Sequence, residues 1–330
     1  MAYILAIESS CDETSAAVLQ DSTILSNIVS SQINVHKHYG GVVPEVASRL
    51  HTECIHHVIN KACTEASITL QDLSSIAVTM GPGLEGCLLV GISVAKTLSL
   101  LLDIPLIPVN HLHGHIFAHK HRRQTLSYPC IALLVSGGHT ELIFMSNPSS
   151  FEKIGKTRDD AAGEVFDKVA RYLGLGYPGG PIIEKHARTG DSTAFSFPIP
   201  MKNTPLEFSF SGLKTAVIDC IDSLEHPADH IDDICASFQK AVITTLLFKS
   251  LEACELKKAS HLIISGGVTA NQALQSAFSS ECPKNNITLI QTDKALCTDN
   301  AAMIGLASVH LDNYYSLSLE NIVAKSRLSV

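Results

Sequence analysis

The stretch YILAIESSCDETSAAVL, residues 3–19, places a polar turn between two apolar runs. Residues 3–8 are predicted to form a buried strand and residues 15–19 a second strand, because short apolar runs bounded by polar turns are typical of strands. Residues 130–145 repeat this order, with a strand, the Gly-rich turn SGGHT and a return strand. The repeated strand–turn–strand unit predicts an α/β protein with two copies of one domain plan.

A third Gly-rich turn extends this pattern. Residues 261–265 read as a strand that leads into the turn at residues 266–271, and a helix is predicted from Gln272. Two facing hairpins followed by a Gly-Gly turn resemble the nucleotide-binding segments of the actin/hexokinase/Hsp70 superfamily, in which backbone amides point at phosphates. We therefore expect an actin-like/Hsp70-like ATPase (ASKHA) fold, with two duplicated domains and an interdomain cleft.

The chain is long enough for two such domains. Its 330 residues are 45% hydrophobic and 17% charged, which is the composition of a folded protein rather than of a disordered chain. We expect an N-terminal domain at residues 1–110 and a C-terminal domain at 111–310. In this superfamily a C-terminal helix often crosses back to the first domain, and residues 311–330 are expected to do so.

The composition favours a cytoplasmic protein. The longest apolar stretch, residues 87–109, is interrupted by Lys96, Asp103 and two prolines, so a membrane span is not expected. The first residues run directly into a strand pattern and show no basic signal-peptide region. The ten cysteines contain no C-x-x-C pair, which suits reduced thiols better than a disulfide framework.

The net charge of −8 disfavours a large nucleic-acid-binding face. Proteins that hold nucleic acids alone normally present basic side chains to the phosphates. Residues 120–123 form one small basic cluster. A nucleic-acid substrate would therefore need a local basic strip or help from partner subunits.

Histidines are concentrated directly after the strand-like residues 104–109. Five of the sixteen histidines lie between His111 and His121. Residues four apart share one face of a helix, so His111 and His115 would direct two imidazoles at one point. Imidazole binds zinc and iron, but two ligands do not complete a site. A polar, His-rich helix start is an equally good interpretation of this segment.

Another histidine group lies in a predicted amphipathic helix over residues 45–66. We take the apolar stripe of this helix to be Val46, Leu50, Cys54, Val58 and Ala62. His51, His56 and His57 lie mostly off that stripe and are expected at the surface.

A Gly-rich turn, GPGLEG at residues 81–86, connects a predicted strand to a helix over 87–102. Such a turn leaves backbone amides at a helix N-terminus, which suits an anion, whereas glycines also permit a tight connection between packed elements. Both interpretations stand here. The missing Gly-Lys-Ser/Thr excludes a Walker motif.

Nine short motifs, in order along nearly the whole chain, resemble those of the TsaD (Gcp/Kae/Qri) family of tRNA N6-adenosine threonylcarbamoyltransferases. Each motif alone is weak, whereas nine in the same order are very specific. They are ESSCDET (8–14), GPGL (81–84), NHLHGH (110–115), VSGGHT (135–140), DDAAGEVFDK (159–168), YPGGP (177–181), SFSGLKT (209–215), SGGVTAN (265–271) and TDNAA (298–302).

The resemblance implies a tRNA-modifying acyltransferase. Such an enzyme transfers the threonylcarbamoyl group of L-threonylcarbamoyl-AMP to N6 of adenosine 37, in tRNAs that read codons beginning with A, and releases AMP. TsaB-like and TsaE-like partner subunits are implied as well, with no membrane. One Fe²⁺ or Zn²⁺ per subunit is implied, bound by His111, His115 and Asp299 in the C-terminal domain. The residues that match the family's adenylate contacts are Leu134, Val135, Ser136, Gly137, Gly138, Asp167, Gly180, Glu184 and Asn271.

The implied chemistry fits these residue types. An adenine amine is a poor nucleophile, whereas a carbamoyl–phosphate anhydride is a good electrophile, so the enzyme needs positioning and charge stabilisation. Gly137 and Gly138 would offer amides to the phosphate, while Asp167 and Glu184 would accept hydrogen bonds from ribose hydroxyls. A metal would hold the threonyl group, polarise the carbamoyl group, or do both.

Asp12 and Glu13, in the first hairpin turn, are our candidates for handling the N6 proton or shaping the tRNA entry. A solvated turn is the alternative for this pair. Asp299 also has a structural alternative, because Asp is favoured as a helix N-cap. The chain departs from the family at His113, where many bacterial members carry Glu, and at Glu184, where others carry Asp.

Three other functions compete with this one. A metallopeptidase is a poor fit, because a zincin needs H-E-x-x-H and position 112 is Leu. An ATPase or sugar kinase of the same superfamily is permitted by the fold, although paired histidines are unexpected where Mg²⁺ prefers oxygen ligands. A nucleotide-dependent scaffold is disfavoured by the density of polar motifs.

Overall fold

The computed structural model describes residues 2–122, 126–202, 204–311 and 317–330. The strands are β1 Tyr3–Glu8, β2 Glu13–Gln20, β3 Thr23–Ser31, β4 Leu73–Gly81, β5 Leu106–Asn110, β6 Cys130–Val135, β7 Thr140–Asn147, β8 Ser150–Lys156, β9 His261–Ser265 and β10 Thr288–Gln291. The α-helices are α1 Ile33–His36, α2 Pro44–Glu65, α3 Glu85–Leu102, α4 His111–Phe117, α5 Ala162–Tyr172, α6 Gly179–Ala187, α7 Ser211–Ser223, α8 Ile231–Lys257, α9 Gln272–Lys284, α10 Lys294–Cys297 and α11 Ala301–His310.

The first sheet has the order β3-β2-β1-β4-β5. β1 and β2 form the predicted antiparallel hairpin, with Tyr3 opposite Gln20 and Glu8 opposite Ser15. β4 and β5 then continue the sheet in parallel with β1. β1 and β4 are almost entirely buried, as is typical of central strands covered on both faces.

The second sheet repeats this topology in the order β8-β7-β6-β9-β10. β6, β7 and β8 pair antiparallel, whereas β9 and β10 run parallel to β6. The predicted duplication is therefore confirmed. The sequence did not predict β3 and β8, because these edge strands are mostly exposed or half-buried and carry no continuous apolar run.

The chain forms two compact units. One unit combines Met1–Thr125 with Thr292–Val330, and the other is Leu126–Gln291. These divisions differ from the expected boundaries at 110 and 310, because α4 packs on β5 and α11 packs on the strands of the first sheet. His111, His115 and Asp299 consequently belong to the first unit, and the predicted adenylate contacts belong to the second.

Two described helical segments are long and apolar enough to cross a membrane by length and composition alone. They are Glu85–Leu102 and Pro227–Lys257, and 72% of the most apolar 18-residue window of the second is buried inside the protein. α8, which forms most of that segment, supplies much of the second unit's core. Core helices pass the same test, so these two segments are weak evidence for a membrane.

The chain end returns to the first unit, although the described residues 317–330 contain no α-helix. Lys325 N donates to Met80 O at 2.9 Å, and Asn110 Nδ2 donates to Ser329 O at 2.6 Å. The Ile322 side chain is fully buried in the first core. Hydrogen bonds to the edge of the first unit thus replace the internal hydrogen bonds of the expected helix.

We expect Ile322→Ala to lower the free energy of unfolding by about 2–4 kcal/mol, because it leaves a cavity in a packed core. Val323→Ala is the matched control, since Val323 is 48% exposed, and should change it by less than ~0.5 kcal/mol. Denaturant unfolding measures both variants. Equal effects of the two substitutions would contradict this placement of the chain end.

Candidate functional site

Two histidines are placed by the start of α4. The side chain of Asn110 caps this helix by accepting a hydrogen bond from Leu112 N at 2.9 Å, so the helix begins at His111. His111 and His115 therefore lie one turn apart on the same face, with ring centroids separated by 4.7 Å. Both side chains are almost completely buried.

Asp299 meets these histidines from just before α11. Its Oδ1 lies 3.1 Å from His115 Nε2 and 3.6 Å from His111 Nε2. Asn300, rather than Asp299, caps α11 by accepting a hydrogen bond from Met303 N at 3.1 Å. The alternative of Asp299 as the helix N-cap is therefore wrong.

The three side chains fit a metal ion. Their candidate ligand atoms all lie within 4.8 Å of one another. Zinc and iron ions lie about 2.0–2.2 Å from their nitrogen and oxygen ligands, so two ligands of one ion are only a few ångströms apart. The distances of 3.1 and 3.6 Å between Asp299 Oδ1 and the two imidazole nitrogens agree with this. Two imidazoles and one carboxylate are a donor set of iron and zinc proteins, and they leave coordination positions open.

The other histidines of this segment lie outside that group. Burial lowers the pKa of His113 and of His119 to about 4 in each case. His119 Nδ1 donates to Ile116 O within the same helical segment. The side chain of His121, and part of the basic cluster at 120–123, lie outside the described residues.

Glu8 is a site residue that the sequence did not single out. It is the last residue of β1, it is fully buried, and its Oε2 lies 3.0 Å from His111 Nδ1. Burial raises the pKa of Glu8, but the charge of His111 and the hydrogen bonds from His111 and Ser10 together outweigh burial and hold that pKa below its usual value. Burial likewise lowers the pKa of His111, and Asp299 and Glu8 together raise it to about 9. A carboxylate that ends an apolar strand is the signal that identifies Glu8.

The turn that carries Asp12 and Glu13 is partly buried. Asp12 is only 9% exposed, and Glu13 is half-buried. Burial and the neighbouring charges of Asp12 and Asp299 raise the pKa of Glu13 to about 10.

Three elements hold this turn by its backbone. The carbonyl oxygens of Ser10, Cys11 and Asp12 accept hydrogen bonds from Leu84 N (2.8 Å), His51 Nε2 (2.9 Å) and Gln32 N (3.0 Å) respectively. Each bond comes from a different part of the first unit. The turn is consequently fixed in one conformation.

His51 is buried, so the prediction that it lies at the surface is wrong, whereas His56 and His57 are exposed. The Nδ1 atom of His51 lies 2.7 Å from Thr14 Oγ1. In the first half of α2 the buried face lies one residue beyond the predicted stripe, whereas Val58 and Ala62 are buried as predicted. The buried residues of α2 are Ala47, His51, Ile55, Val58, Ile59, Ala62 and Cys63.

The Gly-rich turn after β4 is a tight connection. A Cβ on Gly81 would lie 2.0 Å from Lys325 O, and one on Gly83 would lie 2.6 Å from Ser10 O. Leu84 N is already bonded to Ser10 O. These contacts favour close packing over anion binding at this turn.

In the second unit, Leu134 and Val135 end β6 in the core, and Ser136, Gly137 and Gly138 form the turn that follows. A Cβ on either glycine would meet none of the described atoms within 4 Å. Gly163 packs against the back of the turn, where a Cβ would lie 2.6 Å from Ser136 O. The turn therefore presents an open backbone face that a ligand can approach.

The remaining predicted adenylate contacts hold the neighbouring helices together. Asp167 Oδ1 accepts a hydrogen bond from Gly179 N at 2.6 Å and so fixes the start of α6. Glu184 Oε1 accepts from Gln272 N at 3.1 Å, and Asn271 caps α9 by accepting from Leu274 N.

A cavity of about 370 Å³ lies between α6, α8 and α9, within the volume range of small-molecule sites. Glu184 lines it from α6, Arg188 from the position directly after α6, Gln239 from α8, and Gln272 from α9. Asn271 Nδ2 donates to Gln239 Oε1 at 2.6 Å beside it. For Gly180, an added Cβ again meets no described atom within 4 Å.

Two sheets of identical topology define a two-domain α/β protein of the actin-like ATPase (ASKHA) class. HypF from T. kodakarensis has this fold, with a TM-score of 0.64 at 14% identity, covering 96% of this chain and 48% of HypF. The activator of the 2-hydroxyisocaproyl-CoA dehydratase from Clostridium difficile, with bound ADPNP, has a TM-score of 0.55 at 14% identity. That match covers 93% of this chain and 94% of the activator. At such low identity, these matches establish the fold alone.

The chain belongs to the TsaD family of tRNA N6-adenosine threonylcarbamoyltransferases, whose model matches residues 23–306. A relative of that name from Clostridium kluyveri is 52% identical over 310 residues, which is 92% of this chain and 91% of the relative. A second, from Staphylococcus saprophyticus, is 50% identical over 312 residues, covering 93% of this chain and 91% of the relative. The chain is accordingly a transferase of this family.

We expect His51→Leu to cost about 1–3 kcal/mol of stability, because the Cys11 carbonyl and the Thr14 hydroxyl lose their buried partner. His51→Gln keeps a side-chain donor for Cys11 and should lose less. Burial, opposed by the hydrogen bond to Cys11, holds the pKa of His51 below its usual value. The contribution of neutral His51 to the free energy of unfolding is therefore present above about pH 6.5 and decreases as the pH falls below that value.

Denaturant unfolding across this pH range measures the effect, and His56→Leu on the exposed face of α2 is the control. Equal losses in His51→Leu and His56→Leu would show that the turn does not depend on His51.

Proposed function

We propose that the chain transfers the threonylcarbamoyl group from L-threonylcarbamoyl-AMP to N6 of adenosine 37, in tRNAs that read codons beginning with A, and releases AMP. The observation that carries the proposal is the identity of about 50% with relatives of this name over more than nine-tenths of the chain. The geometry of both units supports it.

The open turn of the second unit is proposed to bind the phosphate of the adenylate. The amides of Gly137 and Gly138, with Ser136, would stabilise the charge that develops on the leaving AMP. Leu134 and Val135 fix this turn at the end of a buried strand. A rigid donor set of this kind needs no reorganisation when the anhydride bond breaks.

The cavity between α6, α8 and α9 is proposed to hold the adenosine of the donor. Glu184 lines it and carries a carboxylate that accepts hydrogen bonds, as ribose hydroxyls require. Asp167, Gly180 and Asn271 are assigned to the same nucleotide, with Asp167 and Asn271 also fixing the starts of α6 and α9.

His111, His115 and Asp299 are proposed to hold one Fe²⁺ or Zn²⁺ per subunit. When bound, the ion would act as a Lewis acid that orients and polarises the threonylcarbamoyl group. The two imidazoles and the carboxylate, held in a mostly buried pocket, supply the ligands.

Asp12 and Glu13 are proposed to act at the adenine amine. Burial and the charges of Asp12 and Asp299 raise the pKa of Glu13, which favours a hydrogen-bond donor over a base at that position. Within this pair, Asp12 is consequently our candidate acceptor for the N6 proton.

Partner subunits of the TsaB and TsaE kinds and a cytoplasmic location complete the proposal. The net charge of −8 supports a need for partners, since phosphate contacts on tRNA require basic groups. The purified chain with these partners, L-threonylcarbamoyl-AMP and an unmodified tRNA transcript should form threonylcarbamoyladenosine. A transcript with guanosine at position 37 is the control, and equal AMP release with both transcripts, without modified nucleoside, would refute the transfer.

We expect His111→Ala, His115→Ala and Asp299→Ala each to weaken metal binding by more than the ~10–100-fold that loss of an outer partner costs. His113→Ala is the matched control from the same helix and should retain the metal. Titration of the metal-free proteins with Zn²⁺ or Co²⁺ measures the affinities. Retention of wild-type affinity in all three variants would contradict the ligand assignment.

We expect Gly138→Val to leave the stability unchanged and to weaken AMP binding about tenfold, the equivalent of one lost hydrogen bond. Gly163→Val instead should lower the stability by about 1–3 kcal/mol, because its side chain collides with the Ser136 carbonyl. Calorimetry of AMP binding and thermal unfolding separate the two effects. Unchanged AMP affinity in a folded Gly138→Val protein would exclude the turn as the phosphate site.

A further inference from the structure

We infer that Glu8 is a positioning residue that orients His111 toward the metal site. The inference rests on the metal site of the proposed function and concerns a residue that is itself no ligand. Glu8 lies at the end of β1, with a fully buried side chain. Its Oε2 lies 3.0 Å from Nδ1 of His111, on the ring nitrogen that does not face Asp299.

The hydrogen bond determines which nitrogen of His111 is available to a metal. A carboxylate only accepts hydrogen bonds, so Nδ1 carries the proton that is donated to Glu8, with Ser10 Oγ as a second, longer contact of the same nitrogen at 3.2 Å. Nε2 is the other ring nitrogen, and it is the one that lies 3.6 Å from Asp299 Oδ1. Imidazoles that bind metals commonly donate their other N–H to a carboxylate, which fixes the tautomer and the ring orientation.

Glu8 is itself held in place by two further donors. Thr79 Oγ1 donates to Oε2 at 2.6 Å from β4, and Ser10 N donates to Oε1 at 2.5 Å from the hairpin turn. These bonds, with complete burial, restrict the carboxylate to one orientation. Ser10 belongs to the turn that carries Asp12 and Glu13, so one carboxylate connects the metal ligand to the proposed proton-handling pair.

The test compares the affinity of the metal-free, full-length protein for Co²⁺ and Zn²⁺ by chelator competition, together with the visible spectrum of the Co²⁺ form. Glu8→Gln removes the charge while keeping the shape, and we expect it to weaken binding by about 10–100-fold and to change the spectrum. Thr79→Val is the matched control. It removes one donor to the same oxygen but leaves the bond between Glu8 and His111, and it should weaken metal binding by less than Glu8→Gln does, because Ser10 N still holds the carboxylate.

Glu8→Asp keeps the charge on a shorter side chain and should give an intermediate affinity, and it decides the question if Glu8→Gln does not fold. Wild-type affinity and spectrum in folded Glu8→Gln or Glu8→Asp would overturn this inference. Equal losses in Thr79→Val and Glu8→Gln would also overturn it, because they would show a general packing effect. If wild type and His111→Ala bind Co²⁺ equally, the metal site itself is refuted instead.

Discussion

The first unit depends on the compensation of buried charge at one edge of its sheet. Glu8 is completely buried, and burying an unpaired carboxylate is strongly unfavourable. The imidazole of His111 supplies the compensation, and its own pKa is raised to about 9 by the two carboxylates that face it, Glu8 and Asp299. Removing His111 would leave Glu8 buried without a compensating charge.

The topology explains why these groups meet. β1, β4 and β5 run parallel, so their carboxyl ends lie at the same edge, which is where open α/β sheets place ligands. Glu8 ends β1, Thr79 lies near the end of β4, and His111 follows β5 directly. The second unit uses the equivalent edge differently. The strand β6 ends there in an open glycine turn, which offers backbone amides in place of side-chain ligands.

The features that the sequence predicted well are local ones. Both hairpins follow from short apolar runs around polar turns, and His111 and His115 follow from their spacing on one helix turn. Asp299 was identified only through family resemblance, because no local pattern connects it to residues nearly two hundred positions earlier. The apolar pattern does not identify Glu8 and His51 as buried residues. Each is a polar residue in an otherwise apolar, buried surface, and hydrophobic periodicity identifies only the apolar residues around it. The edge strands β3 and β8 lack an apolar run because an edge strand is partly exposed to solvent and can carry polar residues.

The function proposed for this chain is the transfer that forms threonylcarbamoyladenosine in tRNA. Nucleoside mass spectrometry of tRNA from cells depleted of the protein measures this function. We expect the modified nucleoside to disappear and wild-type protein, but not His111→Ala, to restore it. An unchanged level of threonylcarbamoyladenosine in the depleted cells would refute the transfer.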